Sequence, residues 1–271
     1  MTGIVALLLA TLALCCLDWR VTAANVSSYN GYGAISGVLR KDNTAPMRYR
    51  VLVPWVMRVL YQVGKWCRPG FELKVWHYQA VKGTLVLLAL ASAQSVLGTP
   101  GMWLMALLMA STLEFDYWDC YAELAGVCLV LSGSPWLASI GAVLWGLSRE
   151  TAMLAPVLAY TAGGWICGLA ACTGPLAMYA VRRIQGHAEL YCKRWTFRAY
   201  NCTVDLALVY SLALSLATVA ALVWGRQEMA PALARTAWAP LAWLTSGWTM
   251  ARARETRIYL PAFLWLVAGI S

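Results

Sequence analysis

The chain has 271 residues, of which 61% are hydrophobic and only 12% charged. A water-soluble domain carries roughly 25% charged residues, so half that share excludes a fully hydrated surface and makes lipid the expected solvent for much of the molecule. The net charge of +9 comes in clusters between apolar runs, which fits segments at a membrane surface and argues against nucleic acid as a partner.

The aromatic content points the same way, with 15 Trp and 13 Tyr against 4 Phe. Amphipathic rings favour the membrane–water boundary, where an apolar body and a polar tip are both accommodated. The 9 Cys include no C-x-x-C pair, and the chain has only 2 His. Neither a metal centre nor another cofactor is expected from that set. Cys15, Cys16, Cys128, Cys167 and Cys172 fall inside apolar runs and read as small hydrophobes.

In chain order, the first apolar run covers residues 3–17. It lacks a basic flank and a small-residue cleavage site, and is read as a retained first span, 1–17. Residues 18–74 follow as an external, polar or amphipathic segment. Its first half is turn-rich. Its second half, residues 54–67, has Arg58, Gln62 and Lys65 at helical spacing opposite Val56, Val59, Leu60 and Val63. That pattern predicts a helix lying on the membrane surface, with Pro54 tolerated in its first turn.

From residue 75 to 271 the chain reads as a multi-span helical core. Apolar runs are expected at 76–98, 102–114, 121–132, 136–148, 151–173, 204–225, 237–249 and 258–270. Several are shorter than the ~20 residues that cross a bilayer squarely. Short paired helices of that kind have to be buried among others or line a cavity. The fold class expected is therefore all-α and polytopic.

Charge sets an expected orientation. Segments 181–201 and 251–257 are basic, while 114–123 carries four acids and no base. The positive-inside rule places the first two in the cytoplasm. Counting 151–173 as one crossing then places Arg149, the acidic segment and 18–74 outside, and the N-terminus in the cytoplasm.

Three charged features fall on that external side: Asp18 after the first span, the acidic stretch, and Arg149-Glu150 between two apolar runs. Asp116, Asp119 and Glu123 at i, i+3 and i+7 share a helix face. Ionisable groups at the ends of short membrane helices are candidates for function; solvated loop charges and interhelical ion pairs are the plainer readings.

The order of these features in 78–160 resembles the membrane core of the C-type (GT-C) glycosyltransferases, which use polyprenyl-phosphate sugar donors. The matching parts are 18–74 as a first external segment, two spans over 76–114, the acids Asp116 and Asp119, a helical hairpin over 124–148, and Arg149 before Thr151-Ala-Met-Leu-Ala-Pro156. Arg48-Tyr-Arg50-Val-Leu-Val-Pro54 and Glu255-Thr-Arg257-Ile-Tyr-Leu-Pro261 are similar to segments of bacterial members. The family's acidic pair in the first external loop has no full counterpart, because Trp19 follows Asp18.

The resemblance implies a GT-C-like bundle that transfers a sugar from a lipid-phosphate donor to an acceptor on the non-cytoplasmic face. A carboxylate would take the acceptor's proton, and arginine forks would hold the donor phosphate. The implied catalytic residues are Asp18, Asp116 and Asp119, and the implied phosphate-binding residues are Arg48, Arg50 and Arg149. The implied partners are membrane lipid and the lipid-linked donor. The alternative is a non-catalytic scaffold or accessory subunit packed against other membrane subunits. A transporter would place acids in mid-span, whereas these acids cluster at helix ends.

Overall fold

The computed structural model describes residues 2–24, 50–111, 118–186, 206–250 and 259–270, and these are all-helical, without strands. Arg48 and Asp116 lie outside the described residues. The helices are α1 (Thr2–Ala24), α2 (Leu52–Cys67), α3 (Val75–Ala110), α4 (Asp119–Leu131), α5 (Pro135–Gly146), α6 (Ala155–Gly163), α7 (Trp165–Ala170), α8 (Thr173–Gln185), α9 (Leu206–Trp224), α10 (Pro231–Arg235), α11 (Ala239–Met250) and α12 (Phe263–Ile270), with a 3-10 turn at Glu150–Leu154. One helix, Trp76–Ala110, is long and apolar enough to cross a membrane; Gly3–Trp19, Pro135–Gly146 and Leu208–Trp224 are shorter apolar helices.

Small residues let the helices approach closely. In the α4–α5 hairpin, a Cβ added at Gly141 would lie 2.6 Å from the Gly126 carbonyl oxygen. A Cβ at Gly146 would meet the Gly174 oxygen at 2.5 Å, which brings α8 against α5. Backbone-on-backbone contacts of this kind bring helices close through dispersion, without needing large side chains.

The described helices differ from the apolar runs in three places. α1 continues past Leu17 to Ala24, so Asp18 lies inside a helix rather than just beyond one. Nothing in Asp18-Trp-Arg-Val-Thr-Ala-Ala24 breaks a helix, and Asp18 has a cation to face. The runs 76–98 and 102–114 join as α3 across a break at Gly98, whose φ of 73° needs glycine.

The third difference changes the topology. The run 151–173 is not one crossing but a 3-10 turn, α6 and α7, broken at Gly164 with φ 86°. The Cys167 thiol reaches back to the Gly133 carbonyl at 3.2 Å, and α8 then returns along α5. Val181 consequently packs with Val51 and Leu147. The basic stretch beginning at 181 thus starts beside Arg149's own link, so the crossing count behind the expected orientation does not hold.

The two ends of the bundle can be told apart by contacts. Gln94 Nε2 donates to the Gly3 carbonyl at 3.2 Å and to Thr99 Oγ1 at 3.1 Å, placing the start of α1 beside the Gly98 break. A Cβ at Gly101 would lie 3.4 Å from Val267, and Gly225 abuts Gly269, so the ends of α9 and α12 lie there too. The opposite end holds the Lys82–Asp18 contact and the start of α3. α11 rises toward it: Trp243 lies 6.3 Å from Trp265, whereas Trp248 Nε1 reaches Ser215 Oγ at 3.3 Å. Ser215 is about 15 Å up α9 from Gly225 at 1.5 Å per residue. Leu206 and Met250 therefore also lie at the Asp18–Lys82 end.

Candidate functional site: a buried ion centre

The start of α4, the residue before α2 and the link after α5 bring four charges together. Arg50 Nη1 lies 2.9 Å from Asp119 Oδ2, and Arg149 Nε lies 3.2 Å from the same oxygen. Arg149 Nη1 donates to Glu123 Oε2 at 2.8 Å. The other oxygen of Glu123 accepts from the indoles of Trp145 and Trp243 at 3.2 Å each, and from the Thr151 hydroxyl. Trp145 Nε1 also reaches Thr151 Oγ1 at 2.9 Å. Glu123 is 0% exposed and Asp119 1%.

Local geometry explains why these groups meet. Asp119 and Glu123 are one helical turn apart on α4, so they share a face. The Gly126–Gly141 contact brings the hairpin close enough for Trp145 to stand against Glu123. The Leu147 carbonyl accepts from Val51 N at 3.0 Å and Leu52 N at 3.2 Å, tying the start of α2, and with it Arg50, to the α5 link that carries Arg149. Two acids facing two guanidiniums leave no net charge in an apolar surround, the condition under which buried charges persist.

The two arginines are used differently. Arg149 bonds directly to Glu123. Arg50 stands at ion-pair distance from Asp119, yet neither its Nε nor its Nη1 makes a hydrogen bond with a described residue. Among the acids of this region, Glu150 keeps a buried Oε1 with no described partner.

Of the residues singled out by sequence, Asp119, Arg50 and Arg149 come together. Asp18 is engaged elsewhere, accepting from Lys82 Nζ at 2.6 Å across the α1–α3 interface. Sequence reasoning gave no role to Lys82, Thr151, Trp145 or Trp243. Lys82, a cation inside an otherwise apolar run, was the available signal. Glu123 was placed on the acidic face but not among the site residues.

Comparison with family models, curated proteins and solved structures finds no match.

Proposed function

We propose that the chain is a multi-pass, GT-C-like membrane glycosyltransferase that binds the phosphate of a polyprenyl-phosphate sugar at the ion centre. The observation that carries this reading is the Arg50 guanidinium, nine-tenths buried, whose Nη1 faces Asp119 at 2.9 Å while its Nε makes no hydrogen bond with a described residue. A buried donor without an acceptor is costly, and a planar guanidinium fork suits phosphate oxygens. Membrane residence is supported by the apolar outer faces of α1 and α9, where Leu8, Leu9, Leu12, Leu216 and Val223 are all exposed.

In the proposed step the acceptor oxygen attacks the anomeric carbon, and its proton passes to the Glu150 carboxylate. The bond between that carbon and the lipid phosphate oxygen breaks. The phosphate leaves with the electron pair, held by Arg50 alongside Arg149. Glu150 suits the base role better than Asp18 or Asp119, because those are already engaged by Lys82 and by Arg50 and Arg149, whereas Glu150 keeps a buried Oε1 with no described partner.

A second reading is favoured by the packing around Glu123. Trp145 and Trp243 stack at 5.4 Å beside it, as expected of a purely architectural polar knot in a non-catalytic subunit. The test is native mass spectrometry of the purified chain with a polyprenyl phosphate, followed by donor turnover in proteoliposomes. Wild type should retain the lipid, and Arg50→Gln should lose at least tenfold in affinity. Glu150→Gln should keep binding but lose turnover by roughly 10²–10⁴-fold. A wild-type chain that neither binds nor consumes the donor leaves only the architectural reading.

A further inference from the structure

We propose that α2 docks on the anionic headgroup layer of a bilayer and by that contact holds Arg50 in the ion centre, so that the membrane surface regulates the site. The effect on donor affinity rests on the phosphate-binding reading of Arg50 given above. The coupling between lipid contact and Arg50 does not depend on sugar transfer.

Burial along α2 is graded. Val51, Val53 and Met57 are 0% exposed, while Val59, Val63 and Trp66 reach 56%, 52% and 88%. The helix is thus seated in the fold by its start and presents its later turns outward. Val51 and Leu52 donate their amides to the Leu147 carbonyl at 3.0 and 3.2 Å, and Val51 packs with Val181, Trp55 and Leu147. Arg50 directly precedes this anchor, with Nη1 2.9 Å from Asp119 Oδ2. The link that receives α2 at Leu147 also carries Arg149. A tilt or rotation of α2 about its seated end therefore moves Arg50 relative to Asp119 and Arg149.

The outward turns carry the chemistry of a lipid surface. Val56, Val59, Leu60 and Val63 form an exposed apolar strip, and Arg58, Gln62 and Lys65 are exposed beside it. The helix Leu52–Cys67 contains no acid. Lys65 Nζ lies 4.7 Å from the centre of the Tyr61 ring, so a cation and an amphipathic ring share one level, as residues of the headgroup layer do. An apolar strip flanked only by cations fits the boundary between acyl chains and anionic headgroups. Away from lipid the strip would face water, and the helix would gain by turning it toward the protein. That turn strains the bonds to Leu147 and withdraws Arg50. Lipid thus favours one of two placements of α2, as a regulating contact must.

The experiment is hydrogen–deuterium exchange at the Val51 and Leu52 amides, with the whole chain in nanodiscs of phosphatidylcholine mixed with phosphatidylglycerol. Both amides should be protected in wild type. Val59→Asn with Val63→Asn, which alters no residue of the ion centre, should speed their exchange by about tenfold or more and leave α4 unchanged. Val59→Leu with Val63→Leu should keep the protection. Nanodiscs of phosphatidylcholine alone should weaken it in wild type. Equal protection in wild type and the Asn pair overturns the proposal. If the Asn pair also opens α4, the lipid swap on wild type decides, and exchange that does not differ between the two nanodiscs overturns it. Native mass spectrometry of the same samples with a polyprenyl monophosphate separates the two readings. Exchange that responds while wild type binds no lipid phosphate supports the coupling and removes the phosphate reading. Binding that is equally tight in wild type and the Asn pair overturns regulation of the site.

Discussion

Asp18 and Lys82 show how strongly a single residue's environment is decided by a partner far along the chain. Lys82 is 1% exposed and Asp18 5%, and each would be expensive alone in an apolar setting. Removing one partner of such a pair typically costs about 3–5 kcal/mol, whereas replacing both by apolar groups of similar volume can be neutral. Lys82→Met should therefore lower the unfolding midpoint sharply, and Asp18→Leu with Lys82→Met should recover most of it. Thermal unfolding of the four chains in one detergent measures the coupling, and additive losses would show that the contact is not worth what its burial implies. Sequence could find Asp18 by its place after an apolar run, but the carboxylate's partner depends on a helix pairing that no local pattern encodes.

Elements were more legible than their connections. Nearly every apolar run contains a helix, because backbone groups in such runs have few other ways to satisfy their hydrogen bonds. The amphipathic stripe predicted for 54–67 likewise falls on α2, with Val53, Pro54 and Met57 turned inward. What could not be read was where long runs break. Gly164 takes positive φ inside the run 151–173, which hydropathy reads as continuous, whereas the kink at Gly98 falls at the gap already expected between 76–98 and 102–114. The ion centre was half legible: Asp119, Arg50 and Arg149 stood out as charges at helix ends, but Glu123's indole partners belong to α5 and α11. Glycines at the hairpin separate two physical roles. Gly141→Ala would push a methyl group against the Gly126 oxygen at 2.6 Å, and overpacking of this kind costs about 1–3 kcal/mol. Gly133→Ala meets nothing within 4 Å and carries only the strain of its φ of 74°, about 1–2 kcal/mol. Unfolding midpoints should thus fall in both, while only Gly141→Ala should also disturb the Trp145 fluorescence environment beside Glu123.

At the scale of the whole molecule, α2 has three faces rather than two. One packs inward, one carries Arg58, Gln62 and Lys65, and a third exposes Val56, Val59, Leu60, Val63 and Trp66, the last at 88%. An apolar face that the protein itself leaves open, next to a cationic one, is the pattern of a helix lying in the boundary layer of a bilayer. A photo-crosslinking residue at position 63 should capture lipid acyl chains in vesicles, and the same probe at position 62 should not. Capture of lipid at both, or at neither, would count against an in-plane α2. That expectation follows the stripe first read from sequence, and the third face is what the described structure adds to it.

The contact between α1 and α3 also governs how the chain is made. Asp18 and Lys82 are separated by 64 positions. A ribosome adding about 5–20 residues per second therefore presents the carboxylate roughly 3–13 s before its ammonium partner exists. During that interval a helix bearing an unneutralised acid near its end is poorly suited to pass into an apolar surround. On the membrane reading proposed above, the first helix would wait at the insertion channel until the third emerges, and the two would enter lipid as an antiparallel pair rather than one at a time.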